Sequence, residues 1–456
     1  MAVVALPVPI AAASPITEYP LSNNSSDIYS IAAGSDGGLW FNEPQTNKIG
    51  RIDSRTHEVT EYPIPTYPGD ELRNPFAVAR GSDGAIWFTA EAETEEIAQE
   101  IARIDPLTGE VSRFTVPGPG LLGCTCAPIA EGPDGALWFT LGGGQGIGRI
   151  DPVSDAIAEY PVPFGIQVPY AIAAGPDDTV WFTEQFGSEI IRFDPSTDGF
   201  GGFGLGGNGQ RATGIAAGPE GALWFTQRGP EPDIARLDPH TGTVTAYPIP
   251  SGASAATQIA AGPDGAMWFT QGGRPGHIGR IDPKTGAITE YPTPNPDAGP
   301  TAITAGPDGA MWFADFLGGA IGRVAVPHPT TTTLRCGRRM FLASRPSVCT
   351  AIVTDVAVGA TPSAPTGIVS FSSSVAGRFS PSGGCTTTVR SASTSSCSVE
   401  YAATVAKGAR RHPQTITASY DGDEMHTSSS DSDTLSGRAL GPYPPDAGGA
   451  RPVRGS

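Results

Sequence analysis

Along residues 16–324 short apolar runs alternate with turn residues, and the whole alternation repeats. In the clearest copy, Ala260-Ala261-Gly262 is followed by the turn Pro263-Asp264-Gly265, the runs Ala266 to Thr270 and His277 to Ile281, the turn Asp282-Pro283-Lys284-Thr285-Gly286, and the run Ile288 to Tyr291. Asp-Gly accepts the positive φ of a tight hairpin, and Asp-Pro-x-Thr-Gly ends one strand and starts the next. Each copy therefore predicts four strands joined by three turns, an all-β pattern. Every tryptophan (Trp40, Trp87, Trp138, Trp181, Trp224, Trp268 and Trp312) precedes a phenylalanine, at intervals of 43 to 51 residues. That period is the signature of a propeller blade, which buries both faces only when neighbours stack on it. Successive side chains of a strand alternate, so Trp-Phe puts one aromatic on each face. The tryptophans read as core.

The seventh unit supplies Ile321 to Val324 and then lacks its outermost strand, whereas Ile16-Thr17-Glu18-Tyr19 matches Val59 to Tyr62 and Ile288 to Tyr291 without inner strands before it. Pairing the two would close the ring and remove a sheet edge. The expected first domain is a seven-bladed β-propeller over 16–326. Before it, residues 1–15 read as a truncated signal or leader: Ala2 to Ala13 is apolar and ends in small residues, but no Lys or Arg precedes it and Pro7 and Pro9 interrupt it.

Beyond Val326 tryptophan disappears. Pro327-His328-Pro329 and a four-threonine run form a linker into a second domain, 327–434, with strand-like runs at Thr350 to Val356, Gly367 to Ser372, Ser396 to Tyr401 and Gln414 to Tyr420. About a hundred residues of short alternating strands predict a β-sandwich. Residues 435–456, rich in Pro and Gly, read as a disordered tail.

Composition narrows the partners. The net charge is −18, which disfavours phosphate-backbone partners and anionic membrane surfaces, and no segment is long enough to span a bilayer. Gly 60 and Pro 45 would suggest disorder if they were not periodic. Four of the six cysteines, Cys336, Cys349, Cys385 and Cys397, fall in the small domain, where a modest core gains most from cross-links. Four cysteines allow three connectivities, and a zinc site is the rival, though no CxxC pair is present. Cys124-Thr125-Cys126 is a disulfide, a redox pair or two unrelated thiols.

Two resemblances follow from these residues. Thr366 to Phe371 and Ile416 to Asp423 resemble the bacterial Ig-like repeat of secreted and cell-surface proteins, which implies an extracellular setting and surface attachment through this domain. That resemblance, with local spacing, pairs Cys336 with Cys349 and Cys385 with Cys397. Glu290-Tyr291-Pro292, Gly262 to Thr270 and Ile278 to Asp282 resemble the streptogramin lyases, the virginiamycin B lyase family, over residues 16–324. The resemblance implies magnesium-dependent elimination that linearises a cyclic depsipeptide, with histidines entering the innermost strands of the last blades and glutamates nearby. An imidazole there acts as general base and carboxylates place the metal. This chain departs at those positions: Thr257 and Thr301 stand for the histidines, Gly299 for one glutamate and Asp315-Phe316 for another. Threonine is no base near neutral pH. His57, His240, His277, His328, His412 and His426 all read as solvated residues away from the channel mouth.

What remains at the mouth is one aligned position before each innermost strand: Tyr29, Phe76, Ala127, Tyr170, Thr213, Thr257 and Thr301. A second ring lies three residues past each Trp: Glu43, Ala90, Leu141, Glu184, Gln227, Gln271 and Asp315. Aromatic, hydroxyl and amide groups together suit a sugar, peptide or other small molecule; the alternative is that they merely fill the channel. Glu43, Glu184 and Asp315 come from separated blades, which disfavours a shared cation. Arg51, Arg103, Arg149, Arg192, Arg236, Arg280 and Arg323 recur once per blade, six with an aspartate two residues on, and read as same-face pairs within a strand. Glu91 to Glu100 reads as an insertion that either shapes the entrance or stays solvated, the second being favoured. The expectation is a secreted, non-lyase binding propeller, with an altered magnesium-dependent lyase and a divalent-metal lactonase as the other classes.

Overall fold

The computed structural model describes residues 15–435 apart from the segments 23–26, 68–69, 94–97, 118–127, 142–145, 164–167, 206–209, 230–231, 253–255, 338–345, 357–362, 375–376, 404–413 and 424–425. The leader, most of the tail, Cys124, Cys126, Ala127 and His412 lie outside the described residues. The chain divides into two units, the first reaching Val326 and the second starting at Pro327. Helix is confined, among the described residues, to the short turns Pro44–Thr46 and Pro219–Gly221.

Strands of the first unit form, among the described residues, seven antiparallel sheets, one for each Trp-Phe pair. Five of them have four strands in sequence order, as in Ala256–Ala261, Met267–Gln271, His277–Ile281 and Ile288–Pro292. The last sheet, Pro300–Ala305, Met311–Asp315 and Ala320–Val324, takes Ile16–Pro20 as its fourth strand, with Ile16 opposite Val324 and Pro20 opposite Ala320. Backbone bonds from Ala325 N to Pro15 O (2.9 Å) and Leu21 N to Gly319 O (3.0 Å) extend that ladder at both ends. The second sheet is larger, because Ile86–Glu93 and Ala98–Ile104 run on together and the extension of Ile86–Glu93 pairs with Asp70–Arg73. Glu91 to Glu100 is thus not simply solvated: Glu100 is buried and accepts two bonds from Arg113, at 2.7 and 3.0 Å.

Each tryptophan packs in one cluster with the phenylalanine of the following sheet: Trp40 with Phe88, Trp87 with Phe139, Trp138 with Phe182, Trp181 with Phe225, Trp224 with Phe269 and Trp268 with Phe313. The series closes on itself, since Trp312 packs with Phe41 of the first sheet. All seven tryptophans are at most 1% exposed. Glycine on the neighbouring strand makes room for the phenylalanine; a Cβ on Gly279 would sit 2.0 Å from the Phe269 ring.

The recurrent arginine reaches the aspartate two residues on in three sheets (Arg51–Asp53 3.4 Å, Arg149–Asp151 3.7 Å, Arg192–Asp194 3.6 Å), but in most sheets its shorter contact is with another carboxylate. In five sheets its Nε donates to the aspartate of the hairpin turn, as Arg103 to Asp83 and Arg149, Arg280 and Arg323 to Asp134, Asp264 and Asp308, each at 2.7 Å, with Arg51 on Asp36 likewise. The other oxygen of the same carboxylate accepts the tryptophan indole N–H four residues on, at 2.9 to 3.2 Å. The aspartate two residues after the arginine chiefly accepts backbone N–H groups of the next turn, as Asp282 does from Lys284 and Thr285. A buried carboxylate is satisfied only when both oxygens are engaged, and one turn residue thereby orders both the Trp and the Arg. Burial alone would raise the Asp36 and Asp134 carboxyls, but these hydrogen bonds hold both below the ordinary value.

Two sheets lack this arrangement. Trp181 donates to Thr179 Oγ1 at 2.8 Å, and the buried Trp224 Nε1 has no partner among the described residues, where the turn carries Glu220, which lies 3.8 Å from Arg236. A buried N–H without an acceptor costs about 1–3 kcal/mol. Glu220 also has φ 62°, a region aspartate tolerates better than glutamate. Glu220→Asp is therefore expected to stabilise the protein by about 1 kcal/mol, read as a higher denaturant midpoint at unchanged slope; an unchanged midpoint would show that the shorter carboxylate does not reach the indole.

In the second unit a five-stranded sheet (Thr330–Cys336, Ser347–Asp355, Thr394–Ala403, Gly377–Ser380 and Thr388–Val389) and a four-stranded sheet (Gly384–Thr386, Ile368–Ser373, Gln414–Tyr420 and Ser429–Leu435) contribute to one core. The threonine run is not a linker: it is the edge strand Thr330–Cys336, burying Thr332, Leu334 and Cys336 on alternate positions. Leu435, placed in the tail by sequence, is likewise buried at a strand end. Cys336 bonds to Cys349 and Cys385 to Cys397.

Candidate functional site

Six of the seven residues at the first aligned position, Tyr29, Phe76, Tyr170, Thr213, Thr257 and Thr301, line one cavity of about 250 Å³; the seventh, Ala127, is outside the described residues. The repeat delivers one residue per sheet to the start of each inner strand, so positions aligned in sequence converge in space. Pro128, Ala171, Arg228, Gln258 and Phe316 complete the lining. A second cavity of about 180 Å³ shares Tyr29, Phe76, Pro128, Ala171 and Gln258 and is otherwise walled largely by inner-strand residues such as Ile31, Val78, Ile129, Ile172, Ile215 and Ile303.

The aromatic side of the mouth is a continuous stack. Tyr29 lies 5.1 Å from Phe76 and 5.0 Å from Phe316, centroid to centroid. Tyr29 is 37% exposed, so part of this aromatic cluster is accessible to a ligand. Arg228 is the one charged residue in the described lining, and neither histidine nor carboxylate occurs there. Arg228 and Phe316 were missed by the sequence reading because they fall one residue past the second aligned ring, where other sheets show no common residue type.

The threonines have another task. Thr213 Oγ1 donates to Ala256 O (3.2 Å), Thr257 Oγ1 to Thr301 O (3.1 Å) and Thr301 Oγ1 to Ile28 O (2.9 Å), each across to the next sheet. In four sheets the residue two past the Trp does the same: Thr183, Thr226 and Thr270 reach the carbonyls of Thr213, Thr257 and Thr301, and Asn42 Nδ2 reaches Pro75 O. These bonds link neighbouring inner strands and include the step from the last sheet to the first. The threonine hydroxyls at the mouth therefore spend their protons on the scaffold, and the ligand is left with their oxygen lone pairs.

Of the second ring, Glu43, Glu184, Gln227, Gln271 and Asp315 are all at most 3% exposed, and none lines either cavity. Asp315 Oδ1 accepts from Gly299 N (2.7 Å) and Gly318 N (2.9 Å). The structure thus separates the two rings: the first forms the mouth and the second lies buried. A magnesium ion at the mouth finds hydroxyls, an amide and a guanidinium, a donor set without the carboxylates such an ion needs, and Arg228 opposes its charge. The mouth residues do not fit the metal.

Gln227 faces Asp233 across the ladder, and Asp233 is buried with Oδ1 unpartnered among the described residues. Burial pushes its carboxyl up to about 6. The folded state thus holds this proton more tightly than the unfolded chain does, so stability falls as pH rises from about 4 to about 6 and stays reduced above that. Asp233→Asn removes the ionisation and should raise stability at pH 7 by at most about 2–3 kcal/mol, with the gain vanishing near pH 4. Thermal melts at the two pH values check this; an equal gain at both would point to packing instead.

With the mouth described, comparison with known proteins becomes informative. The family model of the virginiamycin B lyases matches residues 9–200 and 197–333. This chain belongs to the virginiamycin B lyase family. Among solved structures it is similar to a catalytically inactive histidine-to-alanine variant of virginiamycin B lyase from Staphylococcus aureus with quinupristin, at 30% identity and TM-score 0.58, covering 68% of this chain and 98% of that one. A streptogramin B lyase structure gives 32% identity and TM-score 0.57, covering 68% and 96%. YCF48 bound to D1 peptide, at 14% identity and TM-score 0.52 over 70% of this chain and 100% of that one, shares the fold alone. No curated protein matches by sequence. The first unit is accordingly a β-propeller of the lyase family.

The histidine reading needs correction in the second unit. His328 and His426, expected to be solvated, are 7% and 3% exposed. His57 is also engaged, stacked on Tyr19 at 4.5 Å across the closing seam.

Proposed function

We propose that the first unit is a seven-bladed propeller closed by its N-terminal strand, that the second is an Ig-like β-sandwich, and that the propeller binds a small cyclic or linear peptide, glycan or related molecule at its mouth without lyase chemistry. The observation that carries this reading is the composition of the mouth: an open aromatic stack, Gln258, one guanidinium and hydroxyls already committed to the scaffold, with no group in the described lining that accepts a proton near neutral pH. Elimination requires a base at the substrate carbon, and Thr257 and Thr301 stand where the family resemblance calls for histidine. A Staphylococcus aureus relative lacking one histidine is described as inactive and was crystallised with quinupristin, so ligand occupancy without turnover has a parallel in that protein. Two disulfides in the small unit favour an oxidising, extracellular setting.

The test is incubation of the purified protein with magnesium and quinupristin. Ring opening is followed by chromatography and fragmentation mass spectrometry, and binding by calorimetry. A ligand that stays cyclic, with binding weakened about tenfold or more by Tyr29→Ala, supports the reading. A linear product sinks it.

A further inference from the structure

Three segments distant in sequence meet at one end of the second unit. His328 immediately precedes the edge strand Thr330–Cys336, Asp355 ends the strand paired to it, and His426 lies between Gln414–Tyr420 and Ser429–Leu435. Their backbones are tied together: Thr427 N donates to His328 O (2.8 Å), Val356 N to Pro329 O (3.0 Å) and Asp423 N to His426 O (3.0 Å). The side chains of His328, Asp355 and His426 are only 8%, 1% and 2% exposed.

We propose that His328, Asp355 and His426 bind a divalent transition metal ion of the zinc type, with Ser363 Oγ as the adjacent fourth donor. One ligand atom from each of the three residues lies within 4.8 Å of the others: His328 Nδ1 is 2.9 Å from Asp355 Oδ2, and His426 Nε2 is 3.8 Å from the same oxygen. Two ligands about 2.1 Å from a tetrahedral ion stand roughly 3.4 Å apart; the two distances to Asp355 Oδ2 lie within about half an ångström of that, and the two histidine nitrogens, within 4.8 Å of each other, close by up to about an ångström and a half on binding.

Hydrogen-bond chemistry at His426 points the same way. Asp423 Oδ1 lies 2.7 Å from His426 Nδ1 and fixes that nitrogen as the donor. Nε2 then faces Ser363 Oγ at 2.9 Å, Ser363 O at 3.1 Å and Asp355 Oδ2. Only the hydroxyl of these three can donate, so Nε2 faces two further acceptor oxygens, a set that a metal ion or a ring proton satisfies. A carboxylate behind an imidazole whose other nitrogen faces inward is the arrangement that orients metal-ligating histidines. Ser363 N donates to Asp355 Oδ2 at 2.9 Å and orients the carboxylate in turn. Two imidazoles select a zinc-type ion over calcium or magnesium, which prefer all-oxygen shells.

The experiment uses the full chain carrying Cys124→Ser and Cys126→Ser, stripped with chelator and titrated with zinc by calorimetry, then loaded with cobalt for visible spectroscopy and zinc for X-ray absorption. The expected result is one ion per chain, the visible bands of a four-coordinate cobalt site, and a shell of nitrogen and oxygen with two imidazoles. His328→Ala and His426→Ala should each abolish binding, and Asp423→Asn should weaken it roughly 10- to 100-fold. No heat and no cobalt bands in the parent chain would overturn the proposal, as would a sulfur shell or a stoichiometry unchanged in both histidine variants. The spectroscopy stands even where a variant fails to fold.

Discussion

Deletion of residues 1–20 is expected to unfold the first unit or leave it aggregation-prone. The deletion removes the five-residue ladder between Ile16–Pro20 and Ala320–Val324, the buried Ile16, and Tyr19, whose ring lies 5.8 Å from Trp312 and 4.5 Å from His57. Burial of the apolar side chains and the lost ladder bonds together amount to about 5 kcal/mol or more. That is comparable to the whole stability of many domains, about 5–15 kcal/mol. The deletion also leaves Ala320–Val324 as a bare, largely buried-type edge, the geometry that recruits other chains. Limited proteolysis and thermal melting of the truncated chain check this. A melting temperature within a few degrees of the parent would mean that the ring holds without its closing strand.

Trp312→Ala should be nearly as severe. Trp312 is fully buried, packs with Phe41 of the first sheet, donates to Asp308 at 2.9 Å and has the Arg323 guanidinium 5.9 Å from its ring. Truncating a buried tryptophan costs about 3–5 kcal/mol, the upper end applying where the site cannot collapse. Here both neighbours are strands fixed by their own ladders. The released Asp308 keeps Arg323, so the loss is chiefly packing. Urea titration should show the drop, and a cost below about 1 kcal/mol would contradict the closed series of Trp and Phe contacts.

The repeat made most of the first unit legible. Turn residues and Trp-Phe recur at fixed offsets, so strands and faces could be assigned by alignment of the chain with itself, and the first aligned position led directly to the cavity lining. Alignment fails where function departs from periodicity. Phe316 and Arg228 occupy positions with no shared residue type, and the second ring appeared equivalent to the first although strand geometry buries it. The arginine was assigned to the nearest aspartate in sequence, whereas the hairpin-turn aspartate lies closer in space. In the second unit there is no repeat to exploit. A threonine run reads as linker until its partner strand is known, and His328 and His426 are separated by almost the full length of that unit, so no spacing announces their meeting.

The closing strand pair has a mechanical consequence. Ile16 stands opposite Val324, so the two ends of the ring leave from the same end of one antiparallel ladder. Tension between them would load the rungs one after another rather than all at once, which is the zipper geometry. The first unit would therefore open at low force when pulled by its two ends, starting at Ile16 and Val324 and peeling the last sheet before any other gives way.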